Sequence, residues 1–268
     1  MLVATLGFTI MQTIIKELSN FHVSQIVFFR SGITSALCMI YLNRKGISIL
    51  PNRHGILILR TLFGITSMVL FFITVQRIPL GASVSLKYLS PVFTAIFAVI
   101  LIKEKVKPVQ WILFAIALSG VFLLKGFDTR IDTLNLILGI TGAVLAGLVF
   151  VLIRKIGNSE HPMVIVNYFM GSATILGGIW MLNHWVVPTL REWILLLIIG
   201  FCGYVGQVYM TRAFQAEAAS RVVSIKYIEV IYSLLIGFFF FGESYSWISL
   251  LGILMIVGSM FLNLKFKK

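Results

Sequence analysis

Acidic side chains are scarce in this sequence. Only nine Asp and Glu residues occur in 268 positions, mostly between apolar runs. Catalysis needs a nucleophile with a base, a carboxylate pair or a metal cluster, and the sequence shows none of these. Cysteine is nearly absent too. Cys38 and Cys202 both fall inside apolar runs, so no disulfide framework is expected and neither thiol reports a redox compartment. The four histidines, His22, His54, His161 and His184, lie at the ends of apolar runs or between them, and no two have a metal-ligand spacing. No metal and no cofactor are therefore expected. Charge of either sign is rare: 12% of residues are charged, against about 25% in a soluble domain. No low-complexity segment or soluble domain interrupts the chain. No basic leader with a small-residue cleavage site opens it, so no cleavable signal peptide is expected.

What is abundant is apolar sequence. The chain is 59% hydrophobic, with a mean hydropathy of +1.01. Ten apolar runs predict helices at 1–15, 22–42, 56–77, 80–102, 108–125, 134–153, 162–182, 192–214, 218–241 and 246–265. Most reach the roughly 17–25 residues that a membrane span needs. Helix is the natural form for such runs, because a bilayer core offers no partner to loose backbone groups. The first run is short, and its counterpart starts near Asp132, so a few residues are expected to be missing at the front.

Two of the runs carry the same polar groups. Residues 81–104 contain Ser85, Lys87 and Tyr88 and close on Glu104; residues 220–243 contain Ser224, Lys226 and Tyr227 and close on Glu243. Each member of the second set lies 139 positions after its partner. The same offset pairs Lys16 with Lys155, His22 with His161, Gly32 with Gly171, Gly64 with Gly203 and Gln76 with Gln215. Shared leucines would mean little in so apolar a chain; shared polar residues and glycines in register mean more. The expected fold is an all-α integral membrane protein of ten transmembrane helices in two five-helix repeats, 1–127 and 128–268. Five is odd, so the second repeat is expected to be inverted relative to the first. Inverted repeats build transporters, with the site near the midplane where the halves meet.

Lysine and arginine set the expected orientation. Thirteen fall on the side that holds both termini in a ten-helix reading: Arg44, Lys45, Arg53, Lys103, Lys105, Lys107, Arg154, Lys155, Arg212, Arg221, Lys265, Lys267 and Lys268. Five fall on the other side, namely Lys16, Arg77, Lys125, Arg130 and Arg191. A cell (inner) membrane location with both termini cytoplasmic follows. The net charge of +13 does not imply nucleic acid, because the basic residues form no patch or stripe.

Ten helices in two halves, Phe29-Arg30 in the second helix, Ser90-Pro91 in the fourth, and a glutamate ending the fourth and ninth resemble the drug/metabolite transporter superfamily, EamA-like branch. The resemblance covers essentially the whole chain. It implies a central cavity lined mainly by helices 1, 3, 4, 6, 8 and 9, and alternating access without an ATP site. The segments Arg212-Ala213-Phe214 and Lys226-Tyr227-Ile228-Glu229 are similar to the branch that includes S-adenosylmethionine carriers.

The candidate substrate-binding residues follow from charge and polarity inside spans. A charge at the centre of a span costs roughly 2.5–3.5 kcal/mol on insertion scales, so such residues face a cavity or a partner. Lys87 and Lys226 enter their helices by about 10 Å; they either point into a shared cavity or snorkel to the interface. Glu229 follows Lys226 by three residues and shares its face. It is either a self-contained pair with Lys226 or an acceptor for a proton or a substrate amine. Tyr88 and Tyr227 gate, stack on a ring or pack. Ser85, Ser90 and Ser224 bond substrate or their own helices. Tyr204 and Gln207, on one face of the eighth helix, and Gln12 in the first read as cavity lining. Arg30 reads as structural. The runs Gly139, Ala143, Gly147 and Gly200, Gly203, Gly206 read as close-packing faces, and Glu104 and Glu243 as surface ion-pairing groups.

The expected function is secondary-active transport of a small polar organic metabolite, zwitterionic or anionic, such as an amino acid or a derivative of an amino acid or nucleoside. The alternative is a membrane-embedded enzyme acting on a lipid head group. Expected partners are the small-molecule substrate and the lipid bilayer, with protons a candidate coupling ion and the chain a monomer or homodimer.

Overall fold

A computed structural model describes residues 1–51, 54–103, 107–127, 130–216 and 228–263. Among these residues the fold is entirely helical. The helices are α1 (Leu2–Glu17), α2 (Val23–Arg44), α3 (His54–Arg77), α4 (Leu80–Lys87), α5 (Ser90–Ile102), α6 (Pro108–Phe127), α7 (Thr133–Ile156), α8 (Pro162–Met181), α9 (Leu190–Ala216), α10 (Ile228–Phe241) and α11 (Trp247–Asn263). A single 3₁₀ turn, Gly157–Ser159, follows α7. Six stretches among the described residues are long and apolar enough to cross a membrane: Val23–Arg44, His54–Arg77, Leu80–Leu101, Thr133–Ser159, Pro162–Met181 and Leu190–Ala216.

The run at 80–102, a single helix expected to kink at Pro91, is broken. It divides between Tyr88 and Leu89 into α4 and α5. Pro91 is the physical reason, since it has no N–H to give to the carbonyl one turn earlier. The backbone tightens instead, with Tyr88 N donating to Ser85 O at 3.0 Å and Leu89 N to Leu86 O at 3.0 Å. The run at 218–241 is described only from Ile228 onward.

Local chemistry sets several helix ends. His22 and His161 each accept a bond through Nδ1 from the backbone two residues on, Ser24 N at 3.3 Å and Met163 N at 3.2 Å. Asp132 accepts from Asn135 N at 2.8 Å and caps α7. Large apolar side chains cover the outside: Phe239 is 74% exposed and Phe240 79%. A water-soluble surface rarely shows such a band, whereas a lipid-facing one requires it.

Apolar side chains gain nothing by leaving lipid for one another, so small residues and buried polar bonds hold helices together. α2 packs along α8, α6 along α11, α3 along α7 and α1 along α9. The α1–α9 contact is backbone-close: a Cβ on Gly7 would lie 3.0 Å from Cys202 O, and one on Gly206 would lie 2.8 Å from the Phe8 ring. Two amides make matching cross-links. Gln76 donates to Leu18 O and Phe21 O at 3.2 and 3.1 Å, and Gln215 to Gly157 O and Glu160 O at 2.9 and 3.1 Å. All three positions in the second set follow the first by 139.

Candidate functional site

Glu229 opens α10 with no exposed surface. Three side chains from the first half of the chain converge on its carboxylate. Gln12 of α1 donates through Nε2 to Oε1 at 2.5 Å. Lys87, the last residue of α4, reaches Oε1 at 3.2 Å. Tyr88, in the break before α5, donates its hydroxyl to Oε2 at 2.8 Å. Lys87 is the last residue of α4 and Tyr88 its cap, and the two side chains reach the two different oxygens of the one carboxylate. Lys87 supplies the opposite charge, and charge-assisted bonds of this kind are stronger than neutral ones. Lys87 also lies over the Phe71 ring at 4.2 Å and near Phe8 at 5.5 Å.

Lys87 is a wall residue of a cavity of about 120 Å³. Phe8 and Met11 of α1, seven residues of α3 from Arg60 to Thr74, Ser83 and Lys87 of α4, six residues of α7 from Gly139 to Phe150, and Gln207 and Met210 of α9 line it. Arg30 of α2 and Phe169 of α8 complete the wall. Of the expected lining by helices 1, 3, 4, 6, 8 and 9 of the ten-run numbering, runs 1, 3, 4, 6 and 8 supply wall residues, runs 2 and 7 add to them, and no described residue of run 9 is among them.

The remaining candidates fall in different places. Gln207 is buried in the cavity wall and accepts from Arg30 Nη2 at 3.4 Å. Tyr204, one turn earlier, is half-buried, packs against the core and is not among the lining residues. Ser85 donates to Gly81 O at 2.7 Å, within its own helix. Ser224, Lys226 and Tyr227 lie outside the described residues, so the expected Lys226–Glu229 pair is not described. Among the described residues, no group of His, Cys, Asp and Glu is arranged to hold a metal ion.

Two arginines of the cavity wall were not among the expected substrate-binding residues. Arg30, expected to be structural, is 3% exposed. It sits over Phe72 at 5.5 Å, with Nη1 against Met68 Sδ and Met170 Sδ. Arg60 of α3 is 1% exposed and stacks on Phe169 at 4.0 Å. Its position inside an apolar run was the available signal.

A second ionic cluster joins the far ends of α1 and α10 to the start of α4. Glu243 is buried rather than at the surface as expected, because it caps α4. Leu80 N donates to both its oxygens, at 2.9 and 3.0 Å. Lys16 pairs with Oε1 at 2.9 Å and also donates to Ile78 O at 2.8 Å. The Tyr245 hydroxyl donates to Oε2. Burial first, then the bond to Glu243 and its charge, push the Tyr245 phenol above its ordinary value, so it stays a donor.

The sequence pattern of the EamA-like transporter family matches residues 1–125 and, a second time, residues 133–265. The chain belongs to this family. The pseudopaline exporter CntI of Pseudomonas aeruginosa is 32% identical over 243 residues, covering 90% of this chain and 86% of the exporter. Human solute carrier family 35 member G1 is 29% identical over 272 residues, covering 94% of this chain and 74% of the carrier. The S-adenosylmethionine uptake transporter of Rickettsia prowazekii is 22% identical over 230 residues, covering 85% and 76%. One solved crystal structure superposes with a TM-score of 0.67 at 17% identity, covering 99% of both chains, and shares the fold. As an EamA-family chain with many apolar helices and transporter relatives, this is a membrane protein whose family context is small-molecule transport.

Proposed function

We propose that this chain is a secondary-active transporter of a small polar organic metabolite, zwitterionic or anionic, working by alternating access. The observation that carries the reading is the buried knot at Glu229. One acid from the second half is bonded by Gln12, Lys87 and Tyr88 from the first. The joint between the halves is therefore polar, charged and set beside a cavity. Re-pairing such a joint is how two packed halves can hold two stable arrangements. In this reading residues 1–127 and 128–268 are inverted repeats of five spans each, set in the inner membrane with both termini cytoplasmic. The double family match and the matching bonds of Gln76 and Gln215 support it. The named relatives include an exporter and an uptake transporter, so membership alone gives neither direction nor cargo.

Glu229 is the proposed coupling-proton acceptor, because it is a buried acid joined to the cavity wall through Lys87. The test has two steps. A thermal-shift screen of purified protein against metabolites finds a ligand, since ligand at 100 times its Kd adds roughly 2.7 kcal/mol. Flux of that ligand is then measured in sealed proteoliposomes. Unchanged solute should cross, and product formed in detergent would instead favour an enzyme. Glu229→Gln should abolish accumulation driven by a pH gradient yet spare solute exchange. Gradient-driven uptake at the wild-type rate in this variant would make Glu229 structural.

A further inference from the structure

The central cavity has an unbalanced charge. Three cations line it: Arg30, Arg60 and Lys87. Glu229 accounts for Lys87. Among the described residues, no acid lies within ion-pairing reach of either guanidinium. Their donors are also underused. Arg30 Nε, Arg60 Nε and Arg60 Nη1 are buried without a hydrogen-bond partner. Arg30 is left with one long bond to Gln207 and contacts to two methionine sulfurs, which are weak acceptors. Stacking on Phe72 and Phe169 engages the guanidinium faces but gives these N–H groups no acceptor.

The backbone makes room for both heads. A Cβ on Gly64 would lie 3.2 Å from Arg60 Nη1 and 3.1 Å from the Phe169 ring. A Cβ on Gly203 would lie 3.1 Å from Arg30 Cγ and 3.2 Å from Nε. These two glycines are themselves 139 positions apart. The two glycines let each guanidinium lie against helix backbone at the cavity wall.

We infer that Arg30 and Arg60 recognise a substrate carrying two carboxylate groups, one at each guanidinium. The inference rests on the transport reading and narrows its cargo to dianionic organic acids. Each arginine is seated on a different ring, Arg30 on Phe72 of α3 and Arg60 on Phe169 of α8. Two separate anionic groups suit this better than one shared phosphate. The guanidinium fork matches a carboxylate with two parallel bonds, and charge-assisted bonds of this kind strengthen in a dry site. The two carboxylates also remove the mutual repulsion of two cations in one apolar cavity.

The experiment uses the purified full-length protein at fixed ionic strength, with succinate, glutarate, butanoate and inorganic phosphate as probes. The two dicarboxylates should raise the melting temperature in a saturable way; butanoate and phosphate should not. Arg30→Met and Arg60→Met should each weaken dicarboxylate binding about ten- to a hundredfold. Without ligand, Arg60→Met should melt higher than the parent, because an unpaired buried charge has become apolar; a structural arginine would give the opposite sign. Gly64→Ala keeps both arginines and should still weaken dicarboxylates by crowding Nη1, which covers the case in which Arg60→Met does not fold. Equal shifts from butanoate and the dicarboxylates, a shift from phosphate alone, or dicarboxylate shifts undiminished in all three variants would overturn the assignment. Proteoliposome flux without any preference for dicarboxylates would also overturn it and leave the transport reading standing. Absence of any solute flux would strike the transport reading itself.

Discussion

At the scale of single residues, polarity inside apolar sequence was the legible signal, and it pointed at Glu229, Lys87, Tyr88 and Gln12. What it could not supply was the pairing. Spacing along one helix favours Lys226 as the partner of Glu229, because residues three apart share a face. Lys226 lies outside the described residues, and the structure brings Lys87 to the acid from 142 positions away, a contact set by helix packing rather than by sequence distance. Arg60 was missed for a different reason. Internal repetition highlights groups that both halves share, and the position 139 after Arg60 is Ile199, while that after Arg30 is Phe169. The arginines are where the halves differ, so a search for matches passes over them. The Lys87–Glu229 pair gives a residue-scale prediction. Breaking a buried pair from one side typically costs about 3–5 kcal/mol, while replacing both partners is often close to neutral. Lys87 retains 22% exposure, so the lower end of that range applies. Lys87→Met should therefore destabilise the folded protein by about 3 kcal/mol. The double variant Lys87→Met with Glu229→Gln should recover most of that loss in chemical denaturation. A double variant as unstable as the sum of the two singles would mean that the pair is not coupled.

Element existence was legible from run length, and element breaks were legible only where a residue forces them. Pro91 announces a bend in the run at 80–102, but the division into α4 and α5 depends on the tightened turn at Tyr88. The start of α4 at Leu80 was legible as the edge of an apolar run, but its cap was not, because it comes from Glu243. That acid holds the first N–H of α4, Lys16 of α1 and the Tyr245 hydroxyl together. A helix start otherwise leaves its N–H groups to water, and this one is buried. Glu243→Ala should then cost about 3 kcal/mol or more, since it removes the cap and leaves Lys16 without its charge partner. Tyr245→Phe removes one neutral donor and should cost about 1 kcal/mol. Chemical denaturation of both variants measures the ratio. Equal losses from the two would show that the hydroxyl, rather than the carboxylate, holds α4 in place. Glu243→Gln, which keeps the shape and loses the charge, separates the two contributions further.

At the scale of the whole molecule, the repeat was the most legible feature of the sequence, because polar residues recur in register across 139 positions. Its physical use is visible in Gln76 and Gln215, whose side chains close equivalent turns with equivalent bonds. Orientation in the membrane is a separate matter that packing does not decide. It follows from lysine and arginine in the short connections, which resist translocation and stay on the cytoplasmic side. In a ten-span chain both termini share a side with the connection at 43–54, and thirteen basic residues lie on that side against five on the other. An imbalance this large sits within short loops, where the rule is strongest. It therefore predicts that a reporter placed in the connection at 43–54 and another fused after Lys268 both read as cytoplasmic in intact cells. The two readings test different things. Both reporters on the outside would keep the span count and reverse the charge argument. Reporters on opposite sides would mean an even number of spans cannot separate them from each other, so one run among the last eight would not cross, and inverted halves of five would no longer describe the chain.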